Sequence, residues 1–386
     1  MNNSIVLYHN ILWSKYKGGV FSQIHSISST EDLTISIVQI AETELDRVGL
    51  SKVDLTYHKY PYELMFTGAY DLIPKYKRVV NLFLSVWRNS ASMVLLPGFH
   101  KPEYWAMLLA AKIQRKVVGV FCDSTEFDRP RSYFKSFFKR FFFSNCDVFF
   151  GYGQRSHDYL AMNGAPRKYI YFRCQAAALP HDYDSARVLE ERLNFFANAD
   201  SPRFLYVGRI SPEKGLDTLL RAFSRVLVDM PLALLVIVGS GPIEKELKSL
   251  AKALKISDHV EFAGAKDAAG LREEYLRATC LVLPSISEPW GLVVNEALAH
   301  GCPVVVSHRC GCVPELVIDG ISGYVFKASD IDDLTSKMLR IVVDLKVSTV
   351  SINQCLEIIS TFTPEAAARQ IILGCKATLS RLRSHA

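Results

Sequence analysis

Residues Ser285–Gly301 read SISEPWGLVVNEALAHG. They follow Leu281–Val282–Leu283–Pro284, an apolar run of the kind that parallel sheets bury on both faces. Leu292–Ala299 reads as a helix, so Glu288 falls in a strand-to-helix loop and Glu296 well inside the helix. Pro289, Trp290 and Gly291 form a tight turn. The next amides, of Gly291, Leu292 and Val293, point outward at a helix N-terminus, where anions bind readily. Carboxylates accept hydrogen bonds from hydroxyls, and free amides donate to phosphate. The stretch therefore suits a polyhydroxylated ligand that carries phosphate. Alone, a pair of glutamates at this spacing reads more readily as a turn residue and a solvated helix residue, so the weight comes from what surrounds it.

Working outward, Arg203–Val207 reads as a strand and runs into GRISPEKGLDTLLRAF. Gly208 ends the strand, Arg209 and Lys214 flank a turn, and Leu216 opens a helix. Two cations beside free loop amides at a strand end can clamp a diphosphate. Leu232–Val238 is a further strand, followed by Gly239–Ser240–Gly241–Pro242 and a helix from Ile243. This is not a full G-x-G-x-x-G fingerprint, so no nicotinamide cofactor is implied. Beyond the opening stretch come a strand at Pro303–Ser307 and tight turns at Gly311–Glu315 and Gly320–Gly323.

Taken together, EPWGLVVNEALAHGCPVVVS, the G-R-x4-K-G loop and the closing turns resemble the retaining, family 4 glycosyltransferases of the two-Rossmann-domain (GT-B) type. The resemblance covers most of residues 201–345. It implies an α/β chain of two Rossmann-like doubly wound domains facing a cleft, with a nucleotide-sugar donor on the second. On that reading Arg209 and Lys214 bind the donor diphosphate and Glu288 contacts the donor sugar. The amides of Gly291–Val293 hold sugar or distal phosphate, and Glu296 takes the ribose hydroxyls. Gly208, Gly239, Gly241 and Trp290 belong to the same donor site. Retention of anomeric configuration comes from the resemblance alone. No Asp-x-Asp motif appears, and two cations can supply a metal's electrostatics, so no cofactor and no essential metal are expected.

The first half is read more from element order. Ile5–Tyr8, Thr34–Ile40, Ser92–Leu96, Val117–Phe121 and Asp147–Tyr152 read as strands, with helices at Lys77–Arg88, Glu103–Arg115 and Arg155–Met162. This alternation argues a doubly wound parallel sheet. Gly18 and Gly19, after the first strand, allow positive φ and close backbone approach, and the family's Gly-Gly loop makes them candidate donor contacts. The loop Cys122–Arg131 reads CDSTEFDRPR, with Arg129 and Arg131 at its end. Many family 4 enzymes carry a histidine near its start, where this chain has Cys122–Asp123. A smaller related group, associated with surface polysaccharide assembly, uses a similar S/C-D-S-T stretch. Asp123 is the acceptor-side candidate, able to take a proton from or orient a hydroxyl; its alternative role is a turn or helix cap.

Tyr133–Phe143, YFKSFFKRFFF, sets Phe134, Phe137, Phe138, Phe141 and Phe142 among Lys135, Lys139 and Arg140 at helical spacing. This suits either an interfacial helix on anionic lipid or a core helix whose basic residues face water. Regular periodicity is lost over residues 174–200, which divides the chain into an acceptor-binding domain (1–180) and a nucleotide-sugar-binding domain (181–360). A last helix (361–386) is expected to cross back to the first domain.

At 386 residues, 49% hydrophobic and 22% charged, the chain has the length and balance of a globular protein with a large core. No apolar run reaches the roughly 20 residues of a membrane span, and MNNSIVLYHN lacks the pattern of a secretory signal. Nine cysteines without a C-x-x-C pair read as buried thiols in a reducing, cytoplasmic setting, at most peripheral to the inner face of a membrane. Residues 1–180 carry 22 Lys and Arg against 14 Asp and Glu, whereas residues 181–386 carry 23 against 25. The basic first half suits an anionic surface or substrate, and no zinc, RRM or helix-turn-helix signature supports nucleic acid. The expected partners are a nucleotide-sugar and a glycan or lipid-linked acceptor. A non-catalytic sugar-nucleotide-binding subunit, a nucleotide-sugar epimerase and a phosphorylase are the alternatives on such a fold.

Overall fold

The computed structural model describes residues 3–47, 52–128, 133–197, 201–347 and 350–384. The chain divides into two compact units, one made of Met1–Ala178 with Thr363–Ala386 and the other of Leu179–Phe362.

Unit 1 runs β1 (Ser4–Ile11), α1 (Lys15–Ser28), β2 (Thr34–Ala41), β3 (Tyr62–Leu64), α2 (Lys75–Arg88), β4 (Met93–Leu96), α3 (Pro102–Ile113), β5 (Val117–Cys122), α4 (Tyr133–Ser144), β6 (Val148–Gly151), α5 (Gln154–Met162) and β7 (Ile170–Tyr171). Its strands form one sheet in the order β3-β2-β1-β4-β5-β6-β7, with every ladder parallel. Period-two alternation separates two apolar layers. Val6, Tyr8, Val94 and Leu96 face one core, with Leu82, Met107 and Phe142 of the covering helices. Ile5, Leu7, Met93 and Leu95 face the other, with Val20 and Ile24 of α1.

Unit 2 runs α6 (Ser185–Ala197), β8 (Arg203–Val207), α7 (Leu216–Asp229), β9 (Leu234–Val238), α8 (Glu244–Ala253), β10 (Val260–Gly264), α9 (Ala268–Arg277), β11 (Cys280–Leu283), α10 (Leu292–Ala299), β12 (Val304–Ser307), α11 (Val313–Leu316), β13 (Gly323–Phe326), α12 (Ile331–Lys346) and α13 (Ile352–Ser360). Its sheet order is β10-β9-β8-β11-β12-β13, again all parallel. The buried runs CLVL and VVVS carry few polar side chains because helices cover both faces. The final helix, α14 (Pro364–Ser384), belongs to unit 1, where Ala367, Ala368, Ile371, Cys375 and Leu379 join the α1-side core.

Several features depart from the sequence expectations, among them strand β13 and helix α13, which no pattern marked. Residues 174–200, read as irregular, contain α6. Its Arg192 is fully buried and donates to the carbonyls of Tyr275, Leu276, Ala278 and Gly301, at 2.5–3.0 Å. It thereby caps the C-terminal carbonyls of α9 and the turn after α10. Gly18 and Gly19, read as a loop pair able to take positive φ, lie inside α1, and neither has a positive φ. The first packs against the His58 ring, where a Cβ would sit 2.8 Å from its carbon; the second faces Pro364. Edge strand β3 falls in a stretch that no pattern marked. Arg129 and Arg131 of the loop after β5, and the side chains of residues 133–135, lie outside the described ones.

Candidate active site

Unit 2 lays down β8, adds β9 and β10 on one side, and returns to lay β11, β12 and β13 on the other. Strand order reverses between β8 and β11, and open α/β sheets bind ligands outside the carboxyl ends of strands at such a switch point. Lys214 comes from the loop after β8 and Glu288 from the loop after β11. Lys214 Nζ donates to Glu288 Oε2 at 2.5 Å, with both side chains about 15% exposed. The Ser285 hydroxyl lies 3.4 Å from the same carboxylate oxygen, and Ile286 N donates to Glu213 O at 2.8 Å. The two loops are thus tied through backbone and side chain.

Arg209 stands at the mouth of this corner, half-exposed, with its guanidinium 3.6 Å from the Glu213 carboxylate. The Ser211 hydroxyl donates to Glu213 at 2.6 Å. Burial alone would raise the Glu213 pKa; the Ser211 bond and the nearby Arg209 and Lys214 charges outweigh it and hold it low. Tyr206 donates to the Arg209 carbonyl at 2.7 Å and fixes where that loop turns. Gly208, Gly239 and Gly241 let the β8 and β9 loops touch through bare backbone, since a Cβ on Gly239 would fall 1.9 Å from the Gly208 oxygen.

The turn carrying Glu288 is pinned from outside. Gly311 N donates to Glu288 O at 2.9 Å and Cys312 N to Trp290 O at 3.1 Å. Gly291 caps α10 with φ +96°, a conformation that costs L-residues, and no side chain caps this helix end. The first amides of α10, including those of Leu292 and Val293, therefore remain open to a ligand. The Trp290 side chain is not: its ring is buried, its Nε1 donates to Asn295 at 2.8 Å, and it packs on Phe362. It shapes the turn that presents Glu288.

Glu296 lies in the second turn of α10, where Tyr275 donates to its Oε2 at 2.8 Å. Tyr275 stacks on His300, ring centroids 5.3 Å apart, and His300 Nδ1 donates to the Glu296 carbonyl at 2.7 Å. The Glu296 carboxylate is thus held in one orientation by groups that sequence reasoning missed. Tyr275 lies on a different helix, and nothing local in its sequence marks it. Asp123, Gly18 and Gly19 belong to unit 1. Asp123 follows β5, is exposed, and lines a cavity of about 190 Å³ in that unit. Among the described residues no cluster of His, Cys, Asp and Glu is arranged to hold a metal ion.

Residues 189–349 match the family model for glycosyl transferases group 1. That segment belongs to the glycosyl transferases group 1. It contains Arg209, Lys214, Glu288 and Glu296 together. An uncharacterized glycosyltransferase of Methanocaldococcus jannaschii is 32% identical over 169 residues, covering 43% of either chain. The GDP-mannose-dependent alpha-(1-6)-phosphatidylinositol monomannoside mannosyltransferase of Mycolicibacterium smegmatis is 32% identical over 170 residues, 42% of this chain and 44% of its own. The chain thus matches less than half the length of these relatives. Over the whole chain the likeness is one of fold. A crystal structure of Anabaena Alr3699/HepE in complex with UDP and glucose aligns over 97% of this chain and 99% of its own, at a TM-score of 0.69 and 16% identity. Two parallel Rossmann-like sheets in this order, matched over the whole chain, make the fold GT-B.

Proposed function

We propose that the protein transfers a glycosyl unit from a nucleotide-sugar donor to a glycan or lipid-linked acceptor, with retention of anomeric configuration. The observation that carries this reading is the Lys214–Glu288 corner at the switch point of unit 2, with Arg209 beside it and the open α10 amides next to it. Departure of a nucleoside diphosphate builds charge on its phosphates. Arg209 and Lys214 stabilise that charge where it develops, and a preorganised donor of this kind is worth roughly 3 kcal/mol of barrier. In this reading Lys214 turns from Glu288 toward the phosphate, and Glu288 accepts from the donor sugar. The α10 amides hold sugar or phosphate. Glu296, oriented by the Tyr275 hydroxyl on its Oε2, accepts from ribose hydroxyls. The chemistry needs no metal, because the two cations supply the counter-charge. The GDP-mannose-dependent relative and the UDP and glucose complex support a sugar nucleotide as the donor.

A finer part of the reading places the enzyme at the cytoplasmic face of a membrane, acting on lipid-linked glycans such as those of surface polysaccharide or lipopolysaccharide. Phe137, Phe138 and Phe141 of α4 are exposed, with Phe141 stacked on Trp105 of α3 and the basic Lys139 and Arg140 alongside. An aromatic face beside basic residues suits an anionic interface. No described helix is long and apolar enough to cross a membrane. Nine free cysteines suit a reducing compartment.

The test is a thermal-shift panel with UDP, GDP, dTDP, ADP and CDP on the wild type and Glu296→Ala. A ligand at 100 times its Kd stabilises by about 2.7 kcal/mol, a shift of roughly a few degrees. One nucleotide is expected to shift the wild type and not the variant. No shift with any nucleotide would overturn the donor assignment.

A further inference from the structure

Unit 1 has a switch point of its own. The chain lays β1, β2 and β3 in one direction and returns to lay β4 beside β1. The cavity of about 190 Å³ lies there, reached by His9 and Asn10 at the end of β1, Ser14 and Lys17 at the start of α1, Asp123 after β5 and Tyr152 after β6. Lys17 is 4% exposed and its Nζ has no hydrogen-bond partner. Among the described residues no carboxylate forms an ion pair with it. The rings of Tyr152, Phe121 and Tyr16 surround the ammonium, with centroids 4.5, 5.5 and 5.9 Å away. Aromatic faces recover part of a buried cation's solvation, but an uncompensated ammonium remains costly. Burial, opposed only in part by Cys174 and Asp123, pulls its pKa down to about 8.

The same corner holds the N-terminus of α1, a 14-residue helix with no side-chain cap and no acidic residue in its first turn. Its first amides and the helix dipole favour an anion at that end. Two independent features therefore call for negative charge in one small cavity.

We propose that this cavity is a carboxylate-binding subsite with Lys17 as its cation, and that its ligand is an acidic sugar. The inference rests on the transferase reading only in identifying that sugar as part of the acceptor. The flexible stem of Lys17 lets its ammonium turn from among the rings to the cavity wall. A carboxylate fits better than a phosphate for three reasons. Lys17 supplies a single charge. Arg47, the other cation of the cavity, is engaged by Glu44 at 3.4 Å and by the Trp13 ring at 4.6 Å. Asp123, exposed at the same cavity, would repel a second negative charge while accepting from a hydroxyl next to the carboxylate. His9 adds no charge, because burial and the Lys17 cation push its pKa down to about 3.

The test is ligand-observed NMR titration of the full chain with D-glucuronate, its neutral methyl ester, D-glucose and D-glucose 6-phosphate. Glucuronate should bind at least tenfold more tightly than the other three. Lys17→Met should abolish that preference, raise Tm by removing the unpaired ammonium, and leave nucleotide binding unchanged. The proposal is overturned if glucuronate shows no saturable binding, if its ester or the phosphate binds as well, or if the Met variant keeps the preference. The ester comparison needs no variant, so it decides the matter even where Lys17→Met misfolds. Should glucuronate bind as expected while no nucleotide does, the subsite stands and the transferase reading falls.

Discussion

Lys214 and Glu288 meet because two loops, 74 positions apart in sequence, leave adjacent strands. Each side chain is mostly shielded from water, so each depends on the other. Lys214→Met leaves the Glu288 carboxylate partly buried without its cation, a loss of about 1–3 kcal/mol in stability. On the proposed mechanism it also removes a donor from the charge that develops on the leaving group, so turnover should fall by roughly 100- to 1,000-fold. Glu288→Gln should cost comparable stability by stranding the ammonium. The double variant, Lys214→Met with Glu288→Gln, separates the two effects. Urea denaturation should return much of the lost stability, while turnover stays as low as in the worse single variant. A double variant as unstable as the two singles combined would mean the pair is not coupled in the fold. Arg209 differs in kind. It is half-exposed, so Arg209→Met should change stability by no more than about 0.5 kcal/mol and act on donor binding.

At the scale of elements, the turn Glu288–Gly291 is positioned less by its own residues than by the segment 310–312. A Cβ on Gly311 would fall 1.8 Å from the Pro289 carbonyl oxygen, so nothing larger than glycine lets the two backbones pass. Gly311→Ala must push the turn outward, breaking the Gly311 N to Glu288 O bond and moving the Glu288 carboxylate from Lys214. A Tm drop equivalent to about 2–4 kcal/mol is expected, and at temperatures where the variant is still folded its donor KM should rise and its turnover fall. Normal kinetics in a folded variant would show that the turn is positioned by other contacts. This dependence marks what the sequence could and could not disclose. Strands β8, β9, β11 and β12, with the loops and helix that carry Arg209, Lys214, Glu288 and Glu296, were legible because each strand–loop–helix unit announces itself locally, through an apolar run, glycines and a polar turn. Tyr275 and Arg192 were not, because their roles exist only after α9, α6 and α10 pack. Helix α6 escaped notice for the same reason. Its core-facing side includes a fully buried arginine, while Leu193 and Phe195 are exposed, so its apolar pattern does not mark its buried side. Gly18–Gly19 misled in the opposite direction. Glycine there serves close packing of His58 and Pro364 on a helix, and sequence alone cannot tell that from a turn.

At the scale of the whole molecule, each unit holds a neutral histidine shielded wholly or in part from water, and this sets how the protein responds to acid. His300 of unit 2 donates through Nδ1 to the Glu296 carbonyl, while its buried Nε2 has no partner. Protonating Nε2 would place an unpaired charge beside the Tyr275 ring. Burial first, against the Glu296 bond and with the repulsion of Arg272 and Arg192, lowers its pKa from 6.5 to about 4. In unit 1 burial and Lys17 take His9 from 6.5 to about 3. Both folded pKa values lie below the unfolded one, so between them the unfolded chain binds more protons than the folded chain. Stability therefore falls as pH drops below about 6.5, and for His300 the loss is complete near pH 4. The slope is about 1.4 kcal/mol per pH unit for each histidine in its own unit. Carboxylates with lowered pKa, such as Glu274, where Lys266 and Arg203 outweigh burial, add to the loss only as pH falls through their own lower range. The window between pH 6.5 and about 4.5 thus belongs mainly to the histidines. Urea midpoints measured from pH 7.5 to 4.5 should fall steadily in the wild type. In His300→Asn the absolute stability should be lower, since the stack on Tyr275 is lost, yet the pH slope of the transition that reports unit 2 should flatten by about one proton. An unchanged slope would mean that His300 is protonated in the folded state, and that the Glu296 carbonyl, rather than the buried ring, governs its charge.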